Sequence, residues 1–397
     1  PTRSNDNMPQ FLNIGHIDVS PPPRICIGFD CRITMERFVE WLMLGQVIFS
    51  LLLLVPAFYW IMIGSYKPST PEIKDVSLDE KKICVILPMR NEISNVERKL
   101  ESMIGEILPH RLVELIVADS DSEDGTKDVA KEILEESALE TDRWKIMSFD
   151  VRGKNVALNG VLETIDSDII VISDADALIS PGWLEIVCSR MEEPEIGVVS
   201  GIEREIRTDN QGFDDYYRGK SNRLRVLESD IDSTPVLEGS ILAWKTSALG
   251  SFRLNERMNA DDAQIGFTSI NRGYRAIVDQ RITFRGFEGS PRRTLKESVR
   301  RAQGLSIVLI KNSYLAISSP RKSSRMAIFN ALFLYIIFPW VAFLFTMNSV
   351  VAFSIDSRIG NTWEFFSIFV ILLTLMSPQG RFLGRGVLIS IIAHIQA

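Results

Sequence analysis

From Trp41 to Gly64 the chain reads WLMLGQVIFSLLLLVPAFYWIMIG, without one charged side chain. At about 1.5 Å of helical rise per residue, such a run crosses a hydrocarbon layer of roughly 30 Å. It is read as a transmembrane helix, because in lipid a lone segment must satisfy its backbone internally. A cleaved secretory leader fits less well. The apolar stretch is too long, it starts near position 40, and no small-residue cleavage site precedes Tyr66-Lys67-Pro68. Further uncharged stretches run from Met326 to Ile355 and from Phe365 to Ser377. A last apolar run from Gly386 reaches the final residue before it is long enough to span, so the sequence is read as ending inside a helix and Pro1 as not a native start.

Basic residues set the orientation. If every apolar run crosses, Lys67, then Arg321, Lys322 and Arg325, then Arg381 and Arg385 fall on one side, and the positive-inside rule makes that side the cytoplasm. The expected organisation is an extracytoplasmic segment over 1–37, a transmembrane helix over 38–65, a cytoplasmic domain over 66–325 and C-terminal transmembrane helices over 326–397. The loop from Asp356 to Asn361 would face out. This describes an integral membrane protein, at the plasma membrane, with its chemistry on the cytoplasmic face.

Of the 397 residues, 46% are hydrophobic, and the formal net charge is -7. There is material for a large core and no basic bias of the kind that nucleic acid attracts. Cys84 and Cys188 lie in the cytoplasmic block, where reduced buried thiols are the default. Cys26 and Cys31 sit in the outer segment, where pairing and free thiols both stay open. His16, His110 and His394 are far apart, and no His/Cys cluster has zinc spacing.

The cytoplasmic block alternates strand and helix signals. KKICVILP, LVELIVAD, KIMSFD and DIIVISDAD read as strands; ISNVERKLESMIGEIL, DGTKDVAKEILEES and GKNVALNGVLETI between them read as helices. This alternation predicts a mostly parallel sheet covered by helices, with ligands beyond the carboxyl ends of the strands. Polar residues gather at those ends: Arg90-Asn91-Glu92 after the first strand, Asp119 after the second, Asp174 and Asp176 after the fourth. Two carboxylates at i and i+2 around the small Ala175 suit a hard cation such as Mg²⁺ or Mn²⁺, which completes its shell with phosphate oxygens and water. Alone, D-x-D is also an ordinary solvated turn.

Its company narrows the reading. LPMRNE (Leu87 to Glu92), ADSDSEDGT (Ala118 to Thr126), RGKNVALN (Arg152 to Asn159), the DAD of Asp174 to Asp176 and NADDAQIGFTSINRGYR (Asn259 to Arg275) follow one another as in family 2 glycosyltransferases, which this sequence resembles from about Lys81 to Gly304. The resemblance implies the GT-A fold, an α/β Rossmann-like sheet for nucleotide-diphosphate sugars, here flanked by transmembrane helices. It points to the branch of cellulose- and hyaluronan-synthase-like and lipid-glycosylating enzymes. It assigns Pro88, Glu92 and Asp119 to the nucleoside pocket, Asp176 to the metal, and Asp174 to the ribose or a share of the metal. Lys154 would help hold the nucleotide, although a lysine near a helix start is also common on plain surfaces.

Asp262, the second acid of the pair that stands as Asp261-Asp262 where the family usually has Glu-Asp, would be the catalytic base. A carboxylate within reach of an acceptor hydroxyl can take its proton while the hydroxyl attacks the anomeric carbon. Helix capping by either acid fits the same position. One departure concerns the helix expected from Thr294 to about Leu315. Where relatives carry Gln-x-x-Arg-Trp, this chain has Glu297-Ser298-Val299-Arg300-Arg301. Arg300 retains a cation for the leaving diphosphate, whereas the missing Trp argues against a polymer channel. Arg300 and Arg301, with Arg292 and Arg293, also suit a basic face on anionic lipid.

The sequence thus predicts a Mn²⁺- or Mg²⁺-dependent inverting glycosyltransferase, using a nucleotide-sugar donor, UDP-linked by expectation, and a membrane-associated lipid or glycan acceptor. A polyprenyl-phosphate acceptor, processive polymer synthesis and a catalytically silent nucleotide-sugar-binding subunit remain as alternatives.

Overall fold

A computed structural model describes residues 31–67, 71–73, 80–204, 213–287, 294–355 and 378–396. The side chains of 31–36, 213–218, 353–355 and 378–386 lie outside that description. So do the pairing of Cys26 with Cys31, the outer segment before Cys31, the loop 356–361, the apolar stretch 365–377, and Arg292 and Arg293.

Two helices, α1 (Cys31–Leu53) and α2 (Val55–Gly64), precede the sheet. The block between β1 and β4 then alternates as expected: β1 (Ile83–Met89), α3 (Val96–Ile107), β2 (Val113–Ser120), α4 (Thr126–Glu136), β3 (Trp144–Phe149), α5 (Lys154–Leu162) and β4 (Ile169–Ser173). β1 is buried along nearly its whole length because helices cover both faces. Ile83, Val85, Leu87 and Met89 point to one core, shared with Val96, Leu100 and Met103 of α3. Cys84 and Ile86 point to the other, with Ala157, Leu158 and Val161 of α5. These are the two faces of one strand, period two.

Beyond β4 come β5 (Ala177–Ile179), α6 (Trp183–Met191), β6 (Ile196–Glu203), α7 (Phe213–Ile231), β7 (Ile241–Lys245), α8 (Thr246–Leu249), α9 (Asp261–Asn271) and β8 (Arg275–Gly286). The eight strands lie in the order β3-β2-β1-β4-β7-β6-β8-β5. β3, β2, β1 and β4 run parallel, as does β6 with β8, whereas β7 is antiparallel to both neighbours and β5 pairs antiparallel with β8. The parallel expectation therefore holds for the first half and mixes in the second. Chain direction reverses at β7 because the loop Glu238-Gly239-Ser240 enters that strand from the rim where β4 ends, pairing Ser173 with Ile241.

The C-terminal part comprises α10 (Leu295–Lys311), α11 (Leu315–Ser318), α12 (Ser324–Leu332), a π-helical turn (Phe333–Ile337), α13 (Phe338–Ile355) and α14 (Pro378–Gln396). α10 starts on a complete capping box between Thr294 and Glu297, as its sequence suggests, but stops at Lys311 rather than running to Leu315. The π turn sits just before Pro339, whose ring would meet the carbonyl of Tyr335 in a regular α-helix, and widening the turn removes that conflict. Arg37–Gly64 and Ser324–Ala352 are long and apolar enough to cross a membrane by length and composition. They pack together through polar contacts: Gln46 donates to Ser349 Oγ at 2.9 Å, and Asn348 to the Leu42 carbonyl at 3.3 Å.

Both apolar segments are anchored to the end of α7. Tyr59 donates its hydroxyl proton to Glu228 at 2.9 Å, and Asp232 accepts from Arg321 at 2.8 Å and from Ser324 at 2.7 Å. Burial pushes the Glu228 carboxyl up to about 7, against the Thr234 and Tyr59 hydrogen bonds that favour its charged form.

Candidate active site

The strand ends place the first group of residues. Pro88 stands opposite Ala118 and Met89 opposite Asp119, so the turns after β1 and β2 emerge side by side. Pro88 lies beyond the last β1–β4 pair, Ile86 with Ile172, and its missing N–H costs no ladder bond to β4. The two turns are laced together: Asn91 donates its backbone N–H to Ser122 Oγ at 3.0 Å, Glu123 N donates to Asn91 Oδ1 at 2.9 Å, and Glu92 N to Thr126 Oγ1 at 2.8 Å. Asn91 and Asp121 adopt left-handed backbone, φ 55° and 58°. This is a tolerable conformation for Asn and Asp, and the cross-links hold it in place.

Asp119 is only 4% exposed. Its Oδ2 accepts a long contact from Ser122 N at 3.4 Å, while Oδ1 has no partner. A buried acceptor left unmade costs free energy that a ligand N–H would recover. Glu92 accepts from Asn95 at 2.8 Å, and its carboxyl is raised above the usual range by burial, with Asp176 and Asp174 adding repulsion. Glu92 and the D-x-D carboxylates thus share one acidic rim at the point where chain order reverses, the expected crevice of such a sheet.

Asp174 and Asp176 leave β4 as the sequence places them, Asp174 half-buried and Asp176 exposed at the rim. Lys154, the first residue of α5, ties Asp174 to the distant acidic pair: its ammonium lies 2.7 Å from Asp174 Oδ1 and 2.7 Å from Asp261 Oδ2. Burial works against the charge, but the two carboxylates hold Lys154 above the ordinary lysine range. Two carboxylates on one turn, with the small Ala175 between them, suit a divalent ion shared with diphosphate oxygens. Among the described residues no group of three His, Cys, Asp or Glu stands ready to hold a metal without such help.

The acidic pair is carried by a loop that α5 holds in place. Asn155 Nδ2 donates to the carbonyls of Asn255 at 3.1 Å and Met258 at 2.6 Å. Asn159 donates to the Leu254 carbonyl and accepts from Leu254 N, both at 2.9 Å. The two asparagines of GKNVALN are therefore the clamp for the segment leading to α9. Ala260 follows with φ 67°, a left-handed conformation that a side chain adopts only under constraint.

Asp261 and Asp262 open α9 inside its first turn, and neither is its N-cap, which is Ala260. Asp262 Oδ1 accepts the N–H of Ala263 at 2.7 Å. Burial, then the adjacent Asp261, pushes the Asp262 carboxyl up to about 7, the region a general base needs. Gly239 lies against it; a Cβ there would sit 3.6 Å from Asp262 Oδ2. Arg300 is exposed on α10, with Nη1 at 3.4 Å from Asn259 Oδ1, near the pair rather than on the D-x-D turn. A Cβ at Gly304 would come within 2.9 Å of Asn259, so glycine permits this close approach of α10.

The sequence reading passed over Lys99. Its side chain is fully buried beneath the D-x-D turn, donating to Ser173 Oγ at 2.7 Å and to the Ala177 carbonyl at 2.6 Å. Burial pushes its ammonium down to about 7, with Asp174 and Asp176 pulling the other way. A signal was present: Lys99 falls in the helical stripe Val96, Leu100, Met103, Ile107, where an apolar residue is the norm.

Comparison with known proteins agrees with this architecture. Residues 84–245 match the model of glycosyl transferase family 2, and that segment carries a glycosyltransferase domain. Glycosyltransferase AglE of Haloferax volcanii is 28% identical over 120 residues, 30% of this chain and 38% of its own length. The chain therefore spans well under half of that relative. The structure of the mannosyltransferase PcManGT from Pyrobaculum calidifontis, in complex with GDP-Man and Mn²⁺, superposes with a TM-score of 0.73 over 89% of this chain and 98% of that one. At 23% identity the likeness is one of fold.

Proposed function

We propose that this chain transfers a sugar, with inversion, from a nucleoside-diphosphate donor to a hydroxyl of a membrane-associated acceptor. The observation that carries this reading is the Lys154 bridge, which joins the D-x-D carboxylate Asp174 to the acidic pair across the rim. A donor's diphosphate on one side and an acceptor hydroxyl on the other then meet within one side chain's reach. The orphaned Oδ1 of Asp119 takes a hydrogen bond from the nucleoside base, with Pro88 and Glu92 completing that pocket. Asp176 and Asp174 would hold Mn²⁺ or Mg²⁺. When bound, that ion supplies charge neutralisation to the departing diphosphate.

Asp262 accepts the proton of the acceptor hydroxyl as its oxygen bonds to the anomeric carbon. The bond from that carbon to the phosphate oxygen breaks on the opposite face, and the diphosphate leaves with the electron pair. Its carboxyl, raised toward neutrality, is basic enough to take the proton near neutral pH. Lys154, already between two carboxylates, is placed to follow the diphosphate, and Arg300 stands on α10 beside Asn259, at the acidic-pair end of that bridge. The apolar segments Arg37–Gly64 and Ser324–Ala352 anchor the site to the membrane, with catalysis on the cytoplasmic face.

The test uses the full-length protein in detergent, with Mn²⁺, membrane lipid extract and a panel of labelled donors. UDP-sugars, favoured from sequence, are set against GDP-mannose, present in the Pyrobaculum structure. A mass increase of one sugar on a lipid or lipid-linked glycan supports the reading. Long polymer from donor alone, or no metal-dependent transfer or donor hydrolysis with any donor, overturns it.

A further inference from the structure

Among the described residues Lys99 is the only lysine in the buried class, at 0% exposure, and no carboxylate contacts its ammonium within ion-pair distance. A core position that accepts Val, Leu or Met elsewhere along the same helix has no packing need for a cation, and burying one is costly. What the ammonium touches is specific. Its two acceptors, Ser173 Oγ and the Ala177 carbonyl, are the residues on either side of Asp174-Ala175-Asp176. Both ends of the D-x-D turn are thus gripped from below by one group.

The grip extends sideways. Ser173 Oγ donates to the Ser240 carbonyl at 3.0 Å, and the Asp174 backbone N–H donates to the same carbonyl at 3.2 Å. Ser240 follows Gly239, which packs on Asp262. A continuous path therefore runs from Lys99 through Ser173 and Ser240 to the residue facing the acidic pair.

We propose that Lys99 is a positioning residue, whose buried ammonium fixes the spacing of the Asp174 and Asp176 carboxylates for a divalent cation and sets that turn relative to Asp262. It touches neither donor nor acceptor. The proposal rests on reading the D-x-D as a metal site. The turn spans five residues with one internal backbone contact, Ala177 N to the Asp174 carbonyl at 3.4 Å, too long to hold its shape unaided. Residues that orient metal ligands from behind are as consequential as the ligands' own rotamers.

The experiment titrates the full-length protein in detergent with Mn²⁺, read by electron paramagnetic resonance, with UDP or GDP present and no sugar, so that no turnover enters. Lys99→Met keeps the length and apolar stem of the side chain and removes the ammonium. Its Mn²⁺ affinity is expected to fall by about 10- to 100-fold, the usual range for losing a group that orients metal ligands. Nucleoside diphosphate binding without metal, which a general loss of structure would disturb, should stay within about twofold while transfer falls with the metal affinity. Ser173→Ala, which removes one acceptor from a folded background, should weaken Mn²⁺ by about threefold, one hydrogen bond's worth. Unchanged or tighter Mn²⁺ binding in Lys99→Met overturns the proposal, and if that variant does not fold, unchanged binding in Ser173→Ala does so. Failure of the wild type to bind Mn²⁺, or wild-type binding by Asp176→Asn, overturns the metal site itself.

Discussion

On the rim proposed for the donor, Glu92, Asp119, Asp174 and Asp176 each lie within three residues of the end of a parallel strand, and the turns after β1 and β2 are laced together. On the rim proposed for the acceptor, Asp261 and Asp262 follow a loop with no strand of its own, pinned at Met258 by Asn155 from 103 positions earlier. The donor side is set by sheet register, which a hydrophobic run specifies strongly. The acceptor side depends on a few polar contacts between distant segments, and each buried partner left unpaired there is costly. Outside the D-x-D turn, which Lys99 grips from below, the first rim should therefore tolerate change in its surroundings, and the second should not.

The largest effect expected from this contrast is at the acceptor side's own acid. Asp262→Asn should lower transfer by about 10³-fold, within the usual range for a positioned base, with donor binding unchanged by calorimetry. Nearly full activity would instead identify an acceptor that is already ionised, such as a polyprenyl phosphate. Wild-type transfer should rise about tenfold per pH unit until about 7 and then level, because the base must first lose its proton. Stability has the opposite sign: the folded state holds a proton on Asp262 that the unfolded chain has released, so that contribution is complete below the unfolded carboxylate value and is lost as pH rises through about 7. Asp262→Asn should flatten both profiles.

A donor-side substitution should act on binding instead. Asp119→Ala should raise the KM for the donor by about 10- to 100-fold, the value of one hydrogen bond to a charged group, with little loss of kcat. Smallest in overall effect, and most telling for the comparison, is Asn159→Ala. It leaves every reacting group intact but unpairs Leu254 N and the Leu254 carbonyl. It should destabilise the fold by about 1–3 kcal/mol in urea melts and lower kcat about tenfold while donor KM stays put. A rise in donor KM with kcat unchanged would show that α5 serves the donor half and would break the distinction.

Much of this was legible in residues close together in sequence. The four strands of ICVILPM, VELIVADS, WKIMSF and IIVIS, the helices between them and the polar residues at their ends follow from hydrophobic runs and their punctuation. The capping box of α10 follows likewise from Thr294 and Glu297. The reversal at β7 was not legible, because ILAWK as a run is the same in either direction and only its neighbours fix its sense. The stripe of Val96, Leu100, Met103 and Ile107 marks Lys99 as facing the core, but nothing local states what its ammonium meets there.

The sequence alone determined the order of strands and helices through β4, the two apolar segments long enough for a membrane, and which carboxylates stand at strand ends. Each depends on periodicity and on residues only a few positions apart. Tertiary structure alone decided that Lys154 would bridge Asp174 and Asp261, that Asn155 and Asn159 would hold the loop before α9, and that Lys99 would lie beneath the D-x-D turn. Apart from the link of Lys154 to Asp174, 20 positions apart, those contacts join residues 74 to 107 positions apart, wherever the sheet and its covering helices bring them within hydrogen-bond distance.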